Sequence, residues 1–115
     1  MLTVRDIIKQ RQLEVRSEDL QPPRAAEILN ELSSLLGNCN DEIRRCDMDY
    51  NKELLRCYEQ EEKANRAKIK AEISEQYQAR REARDTKELV LEMIRSLKYF
   101  LKAKEDEKST SRYQT

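Results

Sequence analysis

Apolar side chains recur along this chain at intervals of three and four, the spacing that keeps them on one face of a helix. Thr3 is suited to accept backbone amides at a helix start, and Val4, Ile7, Ile8, Arg11 and Val15 follow in register, which predicts a first short helix over residues 4–16. Ser17 to Gln21 is polar, and Pro22-Pro23 ends whatever precedes it, because the residue before a proline is pushed out of the α region. Pro23 itself fits the first turn of a new helix, where a missing amide costs nothing. Ile28, Leu29, Leu32, Leu35 and Leu36 then form a wide apolar stripe.

A seven-residue repeat continues from that stripe through Leu29, Leu32, Leu36, Cys39, Ile43, Cys46 and Tyr50, and on through Glu53, Cys57, Gln60, Ala64, Ala67 and Ala71. Glu53 and Gln60 weaken this seam, and its alanines let helices approach closely. Gly37-Asn38 interrupts it where a carboxyl-terminal cap would sit, so a break or tight bend is expected there, with a continuous helix as the alternative. Asn38 to Glu107 holds neither Gly nor Pro. Within it, Asp85-Thr86-Lys87-Glu88 has the form of a capping box, and the apolar run Leu89, Val90, Met93, Ile94, Leu97, Phe100, Leu101 follows. Either a helix over about 87–105 folds back on its predecessor, or the capping pair is solvated on a continuous helix.

The expected fold class is therefore all-α: short N-terminal helices plus a long helix or an antiparallel helical hairpin, coiled-coil-like. Residues 1–20 make the short helix and loop, 22–107 the hairpin or coiled-coil region, and 108–115 a small, polar, disordered tail. Stripes this thin on long elements are commonly completed by a second copy. A homo-oligomer, with a dimer favoured, is expected along a seam of Leu29, Leu32, Leu36, Cys39, Ile43, Cys46, Val90, Met93 and Leu97.

Composition narrows the function. Charged residues are 40% of the 115 and apolar ones 37%, a balance that also suits disorder, but the net charge is zero and the apolar positions are periodic. No run of 18 apolar residues exists, so neither a membrane span nor a signal peptide is expected, and the location expected is cytoplasmic. Cys39, Cys46 and Cys57 match no zinc or redox spacing and instead share a helical face, as small buried groups or as an intermolecular disulfide on a dimer seam.

The chain has no histidine, which removes His-based nucleophilic catalysis and the Glu-x-x-His pairs of di-metal bundles. Asp47 with Asp49, and Glu59 with Glu61 and Glu62, point to different helix faces, while Glu27 with Glu31 and Asp49 with Glu53 share one. One glycine cannot build a phosphate loop. No catalytic, cofactor-binding or metal-binding residue, no cofactor and no small-molecule substrate is expected.

The zero total hides an asymmetry. Residues 21–62 carry five Lys and Arg against ten Asp and Glu, a net of −5, and residues 63–115 carry fourteen against nine, a net of +5. A basic ridge of Lys63, Arg66, Lys70, Arg80, Arg81, Arg84, Arg95, Lys98 and Lys102 is one candidate partner-binding surface, with Tyr77 and Tyr99 among it. The acidic segment Asp41, Glu42, Asp49, Glu53, Glu61 and Glu62 is the other. The two halves can equally face one another across an antiparallel interface and set its register, or their stems can simply flank an apolar seam.

The stretch Lys63-Ala-Asn-Arg-Ala-Lys-Ile-Lys-Ala, with Glu75-Gln-Tyr77, Arg80-Arg-Glu-Ala-Arg84 and Ile94-Arg-Ser-Leu-Lys98, resembles small all-helical accessory proteins from early or recombination modules of tailed bacteriophages, over residues 63–107. The resemblance implies a phage origin, no enzymatic activity, and a role beside DNA recombination or replication or in blocking a host nucleic-acid enzyme. The function expected is that of a non-enzymatic helical interaction protein binding a protein partner, as accessory factor or as inhibitor of a host nucleic-acid or defence enzyme. The alternatives are direct DNA or RNA binding along the basic ridge, and a homo-oligomeric scaffold.

Overall fold

The computed structural model describes residues 2–114, with side chains to Thr110, and all four of its regular elements are α-helices: α1 (Val4–Val15), α2 (Pro22–Gln60), α3 (Ala64–Glu72) and α4 (Glu75–Gln114). The chain forms two compact units, residues 1–36 with 88–115, and residues 37–87. The hairpin region expected as one domain over 22–107 is thus shared between them.

Local chemistry explains the helix starts. The Thr3 hydroxyl accepts the Asp6 amide at 3.1 Å, and the Asp6 carboxylate accepts the Thr3 amide at 3.1 Å, a complete capping box that also holds the Asp6 carboxyl below its ordinary pKa. Helix α2 begins at Pro22, where the Ala25 amide donates to the Gln21 carbonyl.

In the first unit α1 lies antiparallel to the start of α2, since Arg11 pairs with Glu31 at 2.8 Å while Arg24 pairs with Glu14 at 2.9 Å. Its buried residues are Ile8 of α1, Ala25, Ile28 and Leu32 of α2, and Val90, Met93, Ile94 and Leu97 of α4. In the second unit the core is one tyrosine ring among cysteines and alanines. Tyr50, Cys57, Ala67 and Ala71 are buried together, with Leu54 and Tyr77 against them. Here α2 and α4 run antiparallel, because Asp47 meets Arg84 and Arg80 while Tyr50 meets Tyr77.

Two expectations change and one open alternative is decided. Helix α2 does not break at Gly37, whose φ is not positive, so no left-handed cap forms. An added Cβ there would meet nothing within 4 Å. Gly37→Ala is accordingly expected to stabilise the chain by about 0.5–1 kcal/mol in urea unfolding, through helix propensity. A loss of stability would restore the turn.

The second break is not at 85–88 either, where α4 is continuous and the Thr86 hydroxyl bonds back to the Glu82 carbonyl at 2.8 Å. The chain turns instead at residues 61–63 and 73–74. At the first, Glu59, Glu61 and Glu62 crowd the negative end of the α2 dipole, which has no basic residue in its last turn. At the second, Ser74 accepts the Tyr77 amide at 3.2 Å and so caps α4.

Finally, α4 is helical through Gln114, so the tail expected to be disordered over 108–115 is a helix end over its described part, and Thr115 lies outside the described residues. No Gly or Pro stops it, and Lys104–Glu107 and the Thr110 hydroxyl on the Asp106 carbonyl support this last stretch.

Candidate functional site

The seam assigned to a second copy is largely filled by the chain itself. Leu32, Cys39, Cys46, Val90, Met93 and Leu97 are buried in the single chain, and Leu29, Leu36 and Ile43 are half-buried. The six buried side chains leave water within the single chain. The three thiols are free and buried, and desolvation pushes Cys39 and Cys46 above the ordinary thiol pKa; the Glu42 carboxylate, which accepts from the Cys46 thiol at 3.5 Å, adds to the effect. A thiol so placed is a poor nucleophile.

The basic ridge divides into paired and unpaired groups. In the second unit Asp47 is the node: Arg80 reaches its Oδ1 at 2.9 Å and Arg84 its Oδ2 at 3.0 Å. Burial pushes the Asp47 carboxyl up, but the Arg84 and Arg80 guanidiniums outweigh this and hold it below its ordinary value. The Arg80 guanidinium also lies 4.9 Å from the centre of the Tyr50 ring, and Tyr50 packs on Tyr77 at 5.5 Å. Here the basic half does face the acidic half, and the pairing sets the register of α2 against α4. Lys70 reaches Gln60 at 3.1 Å and Glu61 at 3.7 Å, closing the turn before α3.

Lys63, Arg66, Arg81, Arg95, Lys98 and Lys102 are exposed and make no ion pair with any described residue. Half of the acidic segment is neutralised along its own helix. Asp41 pairs with Arg44 at 3.1 Å, Glu42 with Arg45, and Glu53 with Arg56, each three residues on, while Asp49 and Glu62 stay exposed without an ion pair among the described residues. These exposed pairs contribute little to stability.

Sequence reasoning missed two features of the second unit. Asp47 read as one solvated carboxylate among many, and only the position of α4 selects it. The other is the fate of the larger aliphatics. Met48 and Leu55, each two residues from a core side chain of α2, are 60% exposed, and Ile69 of α3 and Ile73, the residue just past its end, are 62% and 81% exposed. A step of two residues turns a helix by about 200°, so Met48, Leu55 and Ile69 face away from the Tyr50–Cys57 and Ala67–Ala71 seam. A period that departs from the heptad was the available signal.

Among the described residues no helix is long and apolar enough to cross a membrane, and no three Cys, Asp or Glu side chains are grouped to hold a metal ion. No family model, curated protein or solved structure matches the chain.

Proposed function

We propose that this chain is a non-enzymatic helical interaction protein that binds a protein partner through the outward apolar side chains of its second unit. One observation carries the reading: apart from Tyr50, the buried residues described in that unit are cysteines and alanines, while Met48, Leu55, Ile69 and Ile73 stay in water. Met48 and Leu55, seven residues apart on one face of α2, and Ile69 on the outward face of α3 are each flanked by charge and match the composition of docking anchors, aliphatic groups that enter a partner's apolar groove while a polar rim excludes water. Arg66 and Lys68 beside Ile69 would favour carboxylates at the rim of that groove. The resemblance to phage accessory proteins supports a partner among host nucleic-acid or defence enzymes, with the chain as accessory factor or inhibitor.

The test is capture from host lysate by the immobilised full-length chain, repeated with Leu55→Asp and with Ile69→Asp, alongside sedimentation at micromolar concentration. A monomeric chain whose specific capture is lost in either variant, while circular dichroism is unchanged, supports the reading. Equal capture by wild type and both variants sinks it. Self-association abolished by the same substitutions would instead assign these side chains to a second copy, as in a homo-oligomeric scaffold.

A further inference from the structure

We infer that the face of α4 carrying Arg95, Lys98, Tyr99 and Lys102 docks single-stranded nucleic acid, with Tyr99 stacking on a base and the three cations meeting phosphates. These residues share one face at steps of three and four, and no Asp or Glu occurs from Met93 to Lys104. All four are exposed. The three cations have no ion-pair partner among the described residues, although Lys70, Arg80, Arg84 and Lys104 all found one. Their opposite face is firmly held, because Met93 and Leu97 are buried, so the patch sits on a rigid support.

Tyr99 decides the kind of ligand. Tyr50 and Tyr77 pack on each other, whereas the Tyr99 ring is 79% exposed in the middle of the cations and is the one large exposed apolar side chain among the described residues of α4. A protein partner would need an apolar centre to desolvate, and this face offers none besides that ring. A free ring surrounded by positive charge suits an unpaired base, since stacking needs only the base's flat face and the cations track the backbone. Arg95 to Lys102 spans about 10 Å at 1.5 Å per residue, a reach of a few phosphates. That length and the exposed ring favour a single strand over a duplex, whose bases are already stacked.

The experiment is fluorescence anisotropy of a labelled oligothymidylate with the full-length chain between about 50 and 200 mM salt, with the matching duplex and with polyglutamate as competitors. Three phosphate contacts on a single strand predict a slope of log K against log salt near −2. Tyr99→Ala is expected to weaken binding about tenfold with the slope unchanged, and the triple change Arg95→Gln, Lys98→Gln, Lys102→Gln to flatten the slope toward zero. All are solvent-facing, and circular dichroism checks that each variant folds. The inference is overturned by absent binding at the lower salt, by a triple variant that binds as the wild type does, by an equal preference for duplex with no effect of Tyr99→Ala, or by polyglutamate binding in place of the oligonucleotide. The outcome is independent of the lysate capture, which reads side chains of the other unit.

Discussion

Leu97→Ala is expected to cost about 2–5 kcal/mol and to lower the melting temperature by on the order of 10 °C. The side chain is fully buried, in the same unit as the buried Ile8, Ile28, Leu32 and Val90. Truncation removes its transfer free energy and leaves a cavity between helices that cannot close completely, because their spacing is set by the remaining large side chains. Native domains are stable by about 5–15 kcal/mol, so this is a large part of the total. Ser96→Ala, one residue away and exposed, is the control, expected within about 0.5 kcal/mol of wild type. If Leu97 were instead the exposed knob of an oligomer seam, its truncation would leave monomer stability unchanged and shift only the sedimentation profile. Thermal unfolding across a range of concentrations separates the two.

The second large effect runs in the opposite direction of volume. Ala71→Leu is expected to destabilise by about 1–3 kcal/mol, although leucine is nearly as good a helix former as alanine. Ala71 is fully buried with Ala67 against Tyr50 and Cys57, so added carbons must push α3 away from α2. Helix α3 has nine residues and an N-cap, Lys63, that makes no side-chain hydrogen bond, so little else holds it once the contact is lost. Ala64→Leu, exposed on the same helix, is expected to be near neutral. Hydrogen exchange should show the loss concentrated in α3 amides, and a stabilised Ala71→Leu chain would mean that the alanine face is open.

Periodicity and turn chemistry alone determined that the chain is helical, that Thr3 caps α1, that Pro22-Pro23 opens α2, and that Cys39, Cys46, Cys57, Ala67 and Ala71 of the repeat face inward; Ala64 of the same repeat does not. Each of these depends on contacts within four residues or on a repeat that any packed helix must satisfy. The helix breaks were legible only in part. Gly37 and the Asp85–Glu88 box are strong local signals that the helices override, because flanking residues pack on both sides, whereas Ser74 and the carboxylates of Glu59 to Glu62 are weak signals that prevail where packing is thin. Tertiary structure alone decided which charges pair between helices and which apolar residues stay wet. Asp47 differs from the other acids of α2 only in lying across from Arg80 and Arg84, and Tyr99 from Tyr77 only in having no helix opposite. Leu97 and Leu55 are the same residue at helical spacing, one buried and one exposed. A one-dimensional pattern records which residues share a face, while the neighbour that covers that face is brought by distant parts of the chain.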